Sequence, residues 1–192
     1  MLIFTSGKPI GMRLCGVVLA LFLLSQSVKA QIYSCKDGHI GFTSEAPLEM
    51  IKAQSTKAIG ALDCTNKNVV FSINIDSFDG FNSSLQKEHF RENYMETTRF
   101  PNALFKGKII EDIDFSKKGT YNIRAKGVFS IHGVDKEKIV KVKVIVKDNI
   151  IEVEASFDVP LEDHNIKIPK VVNQKIASVI MVEVKASLKP KA

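Results

Sequence analysis

The four histidines of the sequence are the first candidates for chemistry, but their spacing forms no recognisable catalytic or metal site. His39, His89, His132 and His164 lie far apart, without the i, i+2 or i, i+4 pairs that place two imidazoles on one face. The glycines form no phosphate-binding loop, and no serine lies in a Gly-x-Ser-x-Gly elbow. The sequence therefore predicts no catalytic residue, no metal and no cofactor. A hydrolase that gathers Ser, His and a carboxylate in space is a third-ranked alternative.

Two cysteines, Cys35 and Cys64, follow the N-terminal segment and could react with each other. In an exported chain an even count permits a disulfide, here closing a loop of about 30 residues and contributing about 3–4 kcal/mol. Two separate thiols are the alternative. We predict the disulfide, because both residues lie at what look like strand ends. Redox catalysis is disfavoured, since the sequence has no Cys-x-x-Cys pair.

The N-terminal segment resembles a signal peptide. Residues 1–30 contain Lys8, Arg13 and Lys29 but no acidic residue, and 14–24 read LCGVVLALFLL. That apolar run is shorter than the roughly 20 residues that span a bilayer. We predict cleavage after Ala30, which leaves a domain of residues 31–192 that is periplasmic or otherwise exported. An uncleaved anchor is the alternative, and translation could begin at Met1 or at Met12.

Removing this segment changes the charge balance of the chain. The full sequence carries 27 Lys and Arg against 21 Asp and Glu, a net charge of +6. Residues 31–192 retain 24 basic residues against the same 21 acids, so their net charge is +3. A charge this small is not the electrostatic signature of a nucleic-acid-binding protein.

The elements that position these residues are strands, because apolar residues recur at every second position. Val140, Val142, Val144 and Val146 precede Asp148-Asn149, and Ile151, Val153, Ala155 and Phe157 follow. A two-residue turn there would pair the two runs as a hairpin, with Lys143 opposite Glu154 on the outer face. The same alternation occurs at 39–43, 48–55, 57–63, 69–75, 103–109, 121–131 and 180–188.

The predicted fold class is all-β, with about eight antiparallel strands in one domain. Residues 83–93 do not alternate, and Ser83 with Gln86 has capping-box spacing, which predicts a short helix there. Leu85, His89 and Phe90 would share one face of that helix. Residues 161–175 are predicted to cross irregularly between strands. A closed barrel and a two-sheet sandwich both fit this pattern.

Two stretches of the sequence resemble the YceI-like family of exported, lipocalin-like, polyisoprenoid-binding proteins. Residues 78–109 read FDGFNSSLQKEHFRENYMETTRFPNALFKGKI, and residues 127–134 read GVFSIHGV. The resemblance continues through GFTSEAP at 41–47 and IKIP at 166–169. It implies an eight-stranded antiparallel lipocalin-like β-barrel with a short helical segment near 83–93. It also implies an apolar channel that holds a long-chain isoprenoid or a similar amphiphilic lipid.

The candidate ligand-binding residues are the inward-facing residues of the central strands and the aromatic end of the helical segment. The predicted channel walls are Phe71, Ile73, Phe105, Tyr121, Ile123, Phe129, Val142, Val144, Val153 and Phe157. His89, Phe90 and Tyr94 are predicted to form the mouth. A helix that simply packs on the barrel, and wall residues that simply fill a core, are the alternatives.

The function expected from the sequence is binding of an isoprenoid or quinone-like lipid, for transport or storage. The alternative is a filled barrel that acts in the envelope through its surface. Lys106, Lys108, Lys141, Lys143 and Lys147 are predicted to form a solvated, partly paired sheet face, with at most transient contact with a membrane surface. The sequence leaves the oligomeric state open, a dimer included.

Overall fold

The computed structural model describes residues 31–191, which form a closed barrel of eight antiparallel strands. The predicted signal peptide, with Met12 and Ala30, lies outside the described residues. The strands are β1 (Ile32–Glu45), β2 (Met50–Asp63), β3 (Asn68–Asn74), β4 (Asn102–Ile109), β5 (Gly119–Ile131), β6 (Val134–Val146), β7 (Ile151–Pro160) and β8 (Val179–Pro190). Each strand pairs with its sequence neighbours, and β8 pairs with β1, so the predicted eight-stranded barrel is confirmed.

The hairpin predicted from the valine alternation is formed by β6 and β7. Its inward-facing cross-strand pairs are Val142–Ala155, Val144–Val153 and Val146–Ile151. The turn is closed by the Lys147 backbone N–H, which donates to the Ile150 carbonyl at 2.9 Å. On the outer face the Lys143 Nζ lies 3.2 Å from a Glu154 carboxylate oxygen. The register is therefore the predicted one, but the ladder ends before the predicted Val140–Phe157 pair.

Two strands are longer than the alternation predicts. The segments 48–55 and 57–63 are one strand, β2, and β1 begins at Ile32 rather than near His39. The register of β1 on β2 shifts on both sides of the Gly38–Ala58 pair. A bulge of this kind places two residues opposite one, and this interrupts the period of two that sequence reading relies on.

Strand β6 also starts earlier than expected, at Val134. The β6–β7 ladder ends at Val142–Ala155, so residues 134–141 pair with β5 alone. This accounts for the polar character of the first half of β6. Lys138 lies beside this gap, where its Nζ donates to the Asp158 carbonyl at 2.6 Å and lies 5.3 Å from the Phe157 ring centroid. The 3₁₀ turn Glu162–His164 packs against β6 there.

The seven connections divide the barrel into two different ends. The 64–67, 110–118 and 147–150 connections and both ends of the described chain lie at the end that we call the closed end. The 46–49, 75–101, 132–133 and 161–178 connections lie at the other, the open end. The 75–101 connection carries the only α-helix of the described residues, α1 (Ser84–His89), which continues into a π-helical turn, Phe90–Tyr94. Within residues 31–191 no helix has the length and apolar character needed to cross a membrane.

The closed end is sealed by the 110–118 connection. Ile113 and Phe115 of this loop are buried against a dense cluster of strand residues. That cluster includes Tyr33, Leu62, Ile109, Ile123, Val144, Val146, Ile151, Val153, Ala186 and Leu188. Polar contacts fix the loop: the Arg124 Nε donates to Glu111 at 2.7 Å, and the Tyr121 hydroxyl donates to the Lys117 carbonyl at 3.0 Å.

Candidate functional site

The inward faces of all eight strands surround an apolar cavity of about 510 Å³. Because side chains alternate along a strand, every second residue of a strand points towards the interior of the barrel. On β5, for example, Ile123, Ala125, Phe129 and Ile131 line it. The cavity ends on residues of the closed-end cluster, such as Val144 and Leu188, and extends to the open end. It therefore has one floor and one mouth.

Nine of the ten predicted wall residues line this cavity. They are Phe71, Ile73, Phe105, Ile123, Phe129, Val142, Val144, Val153 and Phe157. The tenth, Tyr121, is not among the lining residues. Tyr121 pairs with Val144 near the closed end, and its hydroxyl is bonded to the sealing loop. Alternation predicts the face of a residue but not its depth along the barrel.

Glycines determine how the phenylalanines stand in the wall. A Cβ on Gly60 would lie 2.5 Å from the Phe71 ring, and one on Gly107 would lie 2.9 Å from the Phe105 ring. Both rings therefore rest against glycine backbone, which only a residue without a side chain allows. Phe71 and Phe105 are also cross-strand partners. The rings consequently lie along the wall, and the centre of the barrel stays open.

Helix α1 and the following turn form one side of the mouth. Ser83 caps the helix, accepting a hydrogen bond from the Gln86 N–H at 3.2 Å, as the sequence predicts. Leu85, His89 and Phe90 lie along the cavity, and Tyr94 of the π-helical turn follows them. The three predicted mouth residues His89, Phe90 and Tyr94 are thus brought together at one place.

Four phenylalanines meet at this mouth, three of which the sequence analysis did not select. Phe42 of β1 stacks on Phe90 with ring centroids 5.3 Å apart, and Phe78 and Phe81 contact the same pair. All four line the cavity. Phe42 lies two residues from Ile40 and from Ser44, so the period of two could have placed it on the inward face of β1. Phe78 and Phe81 lie in a loop, where no period indicates which face is buried.

Polar groups of the cavity lining lie mostly at the open end. They are Ser44, Glu49, Ser83, Gln86, His89 and Lys175, and Ser72 lies lower in the wall. The Gln86 amide donates to Glu49 Oε1 at 3.0 Å, and Ser44 Oγ accepts from the Ala177 N–H at 2.9 Å. Burial raises the pKa of the Tyr94 hydroxyl. The site therefore offers an apolar interior and a polar entrance.

Two histidines connect three loops of the open end. The His132 ring contacts Glu96 Oε1 at 3.2 Å and the His164 carbonyl oxygen at 3.0 Å. The His164 ring lies 3.3 Å from the Val134 carbonyl and packs edge-on against Phe129. Burial lowers the pKa of His164, whereas the Arg99 side chain lowers the pKa of Glu96. These contacts tie the loops that follow α1, β5 and β7 to one another.

The structure contradicts the predicted Cys35–Cys64 disulfide, because both residues are free thiols. Cys35 pairs with Gly60, and the Cys64 N–H bonds to the carbonyl of Gln31 instead. Four residues of strand separate Gly60 from Cys64, about 13 Å, whereas a disulfide needs Cα atoms within about 7 Å. Burial raises the pKa of Cys35, and it raises that of Cys64 to about 11.

The mouth contains serine, histidine and carboxylate side chains, but they do not form a hydrolytic constellation. Ser44 and Ser83 each accept a hydrogen bond from a backbone N–H, and Glu49 is bonded to Gln86. Within residues 31–191, His89 makes no hydrogen bond to any of them. The same residues contain no group of three or more His, Cys, Asp or Glu side chains arranged to hold a metal ion.

The sequence of this barrel matches a known family over nearly all of the described residues. The model of the YceI-like domain aligns with residues 34–188, which include most of every strand and the whole mouth. The chain belongs to the YceI-like family. The resemblance noted at residues 78–109 and 127–134 is thereby confirmed. No curated protein matches the sequence.

Solved structures share the fold of this YceI-like domain at low sequence identity. A polyisoprenoid binding domain from Saccharophagus degradans has a TM-score of 0.71 at 13% identity and covers 85% of this chain and 100% of its own. BcnA of Burkholderia cenocepacia has a TM-score of 0.64 at 14% identity, covering 79% and 95%. The YceI protein of Campylobacter jejuni has a TM-score of 0.56 at 15% identity, covering 71% and 81%.

Proposed function

We propose that this YceI-like protein binds one chain of an amphiphilic, isoprenoid-type lipid in the barrel, for transport or storage. The observation that carries the proposal is the cavity of about 510 Å³, apolar inside and polar at its mouth. A filled barrel acting through its surface, the main alternative, would have a packed interior instead. The description of the S. degradans neighbour as a polyisoprenoid binding domain supports the same ligand class.

The ligand enters tail first in this proposal. Burial of an apolar chain is favourable by about 0.8 kcal/mol per CH₂, so the chain needs no charged partner inside the barrel. A polar head at the mouth would meet Glu49, Gln86, His89 and Lys175. A hydroxyl, phosphate or quinone carbonyl can hydrogen-bond to such groups while it remains hydrated. No reaction and no cofactor are part of the proposal.

The depth of the cavity sets the length of chain that it encloses. The lining residues of β5 run from Ile131 at the mouth to Ile123 at the floor. Eight residues of strand measure about 26 Å, and the usual tilt of barrel strands reduces this to a depth of about 20 Å. Extended chains advance about 1.2 Å per bond, so the cavity encloses about 16 bonds, or about four isoprene units. A longer chain folds back or leaves part of itself at the mouth.

Titration with prenyl alcohols of increasing length tests this proposal. We expect affinity to rise steeply with each added unit up to about four units and then to level off, because further units add little burial. The Phe105→Asp variant, which places a charge in the wall, is expected to bind none of them. Equal affinity for short and long alcohols, or unchanged binding by a folded Phe105→Asp variant, would contradict it.

The natural ligand and the location of the protein need material from the native cell. Native mass spectrometry followed by organic extraction is expected to release one prenyl lipid, whereas a clean ligand-free mass would favour the surface-acting alternative.

We further propose that the chain is exported and begins at Gln31 after cleavage. N-terminal sequencing of the protein from the cell envelope tests this, and a start within residues 1–30 would contradict it.

A further inference from the structure

We propose that the open end of the barrel docks on the surface of an anionic lipid bilayer, with its mouth towards the membrane. The observation behind this is a group of large apolar side chains exposed around the mouth. Val171 is 90% exposed, Leu48 is 65%, Leu85 is 57% and Met50 is 49%. Contiguous exposed apolar patches mark interaction sites in proteins of this size. We call these four residues the entrance patch.

The three elements that carry the entrance patch are neighbours, because hydrogen bonds join them. The Leu48 N–H donates to the Gln174 carbonyl at 2.9 Å, which connects the β1–β2 turn to the segment of Val171. The Asn82 side-chain amide donates to the Met50 carbonyl at 3.2 Å, which connects the same turn to the start of α1. The side chains of the patch therefore occupy one rim.

The rim also surrounds the entrance of the cavity. Glu49 of the β1–β2 turn, Leu85 of α1, and Val172 and Lys175 of the third element all line it. A flat apolar surface seated on this rim would cover the mouth. This continuity favours a bilayer over a separate protein partner, because the lipid chain could then pass from membrane to barrel without crossing water. That advantage rests on the proposed function, although docking itself does not require a ligand.

The charge of the 165–178 segment favours an anionic bilayer. Residues 165–178 carry Lys167, Lys170 and Lys175, all exposed, and no acidic residue. These three lysines form no ion pair within residues 31–191, so their ammonium groups are available to lipid phosphates. Glu45, Glu49 and Glu88 also lie at the open end, so the basic charge is concentrated in the 165–178 segment. Exposed apolar side chains flanked by lysines are the combination that binds at the interface of anionic membranes.

Co-sedimentation of the purified protein with vesicles tests the proposal. The probes are phosphatidylcholine vesicles with and without phosphatidylglycerol. We expect binding to the mixed vesicles about tenfold above that to the neutral ones, falling about tenfold in Leu48→Ser/Val171→Ser and in Lys167→Gln/Lys170→Gln/Lys175→Gln. Neither Leu48 nor Val171 lines the cavity, so the prenyl alcohol affinity of the serine variant should not change. Circular dichroism verifies that each variant is folded.

Ile59→Ser/Ile139→Ser is the matched control, since these residues are 57% and 55% exposed on the outer barrel wall. Equal loss of binding in this control would overturn the proposal, because the rim would then have no special role. Absence of vesicle binding would overturn it too, and so would a dimer that only the Leu48→Ser/Val171→Ser change dissolves. Wild-type protein that binds prenyl alcohol but no vesicles contradicts docking alone. Vesicle binding without prenyl alcohol binding contradicts the proposed ligand alone.

Discussion

The two ends of the barrel are built from the same alternating strands, yet one is a packed core and the other is a cavity. At the closed end, branched side chains such as Val144, Ile151 and Leu188 are almost completely buried beneath the 110–118 loop. At the open end, half-buried phenylalanines such as Phe42, Phe90 and Phe157 face open space. The loops make this difference. The 110–118 loop fills its end of the barrel, whereas the open-end loops bury Phe78, Met95 and Leu161 in the lining of the cavity.

Glycines and strand separation reinforce the contrast. Gly60 and Gly107 let two phenylalanine rings lie flat on the wall above the closed-end cluster. Farther up, β6 and β7 separate, and the 3₁₀ turn with His164 packs beside the gap. The closed end is thus filled, whereas the buried residues of the open end surround a cavity that remains available for binding.

Substituting a phenylalanine at each end gives the largest expected difference. Phe115→Ala removes the buried ring that seals the closed end and should lower the free energy of unfolding by about 3–5 kcal/mol. Phe81→Ala removes a half-buried ring at the mouth and should lower it by only about 1–2 kcal/mol. Denaturant unfolding of ligand-free protein measures both. Similar losses at the two positions would show that the sealing loop is packed no more tightly than the mouth.

Gly60→Ala tests whether the cavity depends on glycine. The new Cβ would lie 2.5 Å from the Phe71 ring, which must move into the cavity. We expect a loss of about 1–3 kcal/mol in stability, together with weaker binding of prenyl alcohols. Gly41→Ala is the control, because its Cβ finds its nearest atom at 3.5 Å and should change stability by less than about 0.5 kcal/mol. If both variants behave alike, the glycines have no such role.

The open end is also expected to weaken in mild acid, through His164. Burial lowers the pKa of this imidazole in the folded state, whereas the unfolded chain takes up the proton near pH 6.5. The unfolded state then binds more protons, so stability is full above about pH 6.5 and decreases as the pH falls towards the folded pKa, by at most about 1.4 kcal/mol per pH unit. The carboxylates with lowered pKa values, such as Glu96, lose their contribution only at lower pH.

Unfolding measured between pH 7 and pH 5.5 tests this dependence. His164→Asn should remove it, because the amide can still donate to the Val134 carbonyl but does not titrate. His89→Asn, at an exposed position, should leave it in place. A dependence that survives His164→Asn would assign the effect to another group.

The smallest effect is expected at the two thiols. Labelling them with an alkylating reagent tests the closed end directly. With raised pKa values, Cys35 and Cys64 should react slowly with an alkylating reagent at neutral pH in the folded protein. In denaturant without a reductant, both should be labelled fully, as peptide mass spectrometry would show. A peptide pair joined through Cys35 and Cys64 would contradict the register of β1 on β2.

Sequence reading was most successful where local rules and burial agree. The β6–β7 hairpin forms where the alternation and the turn predict it. Nine of the ten predicted wall residues line the cavity, and Ser83 caps α1 as its spacing from Gln86 predicts. It was less successful where a residue depends on a distant neighbour. Tyr121 faces inward as predicted, but the sealing loop reaches it, so it lies outside the cavity.

The sequence by itself determined the class of the fold, the inward face of the regular strands and the family. Each of these follows from a period of two, a turn or an extended motif, all of which are local properties. The tertiary structure alone decided which end is sealed, how deep the cavity is and which thiols are near each other. Those features depend on register, on the bulge at Gly38 and on where Ile113 and Phe115 pack. They arise from contacts between residues far apart in the chain, which no local pattern encodes.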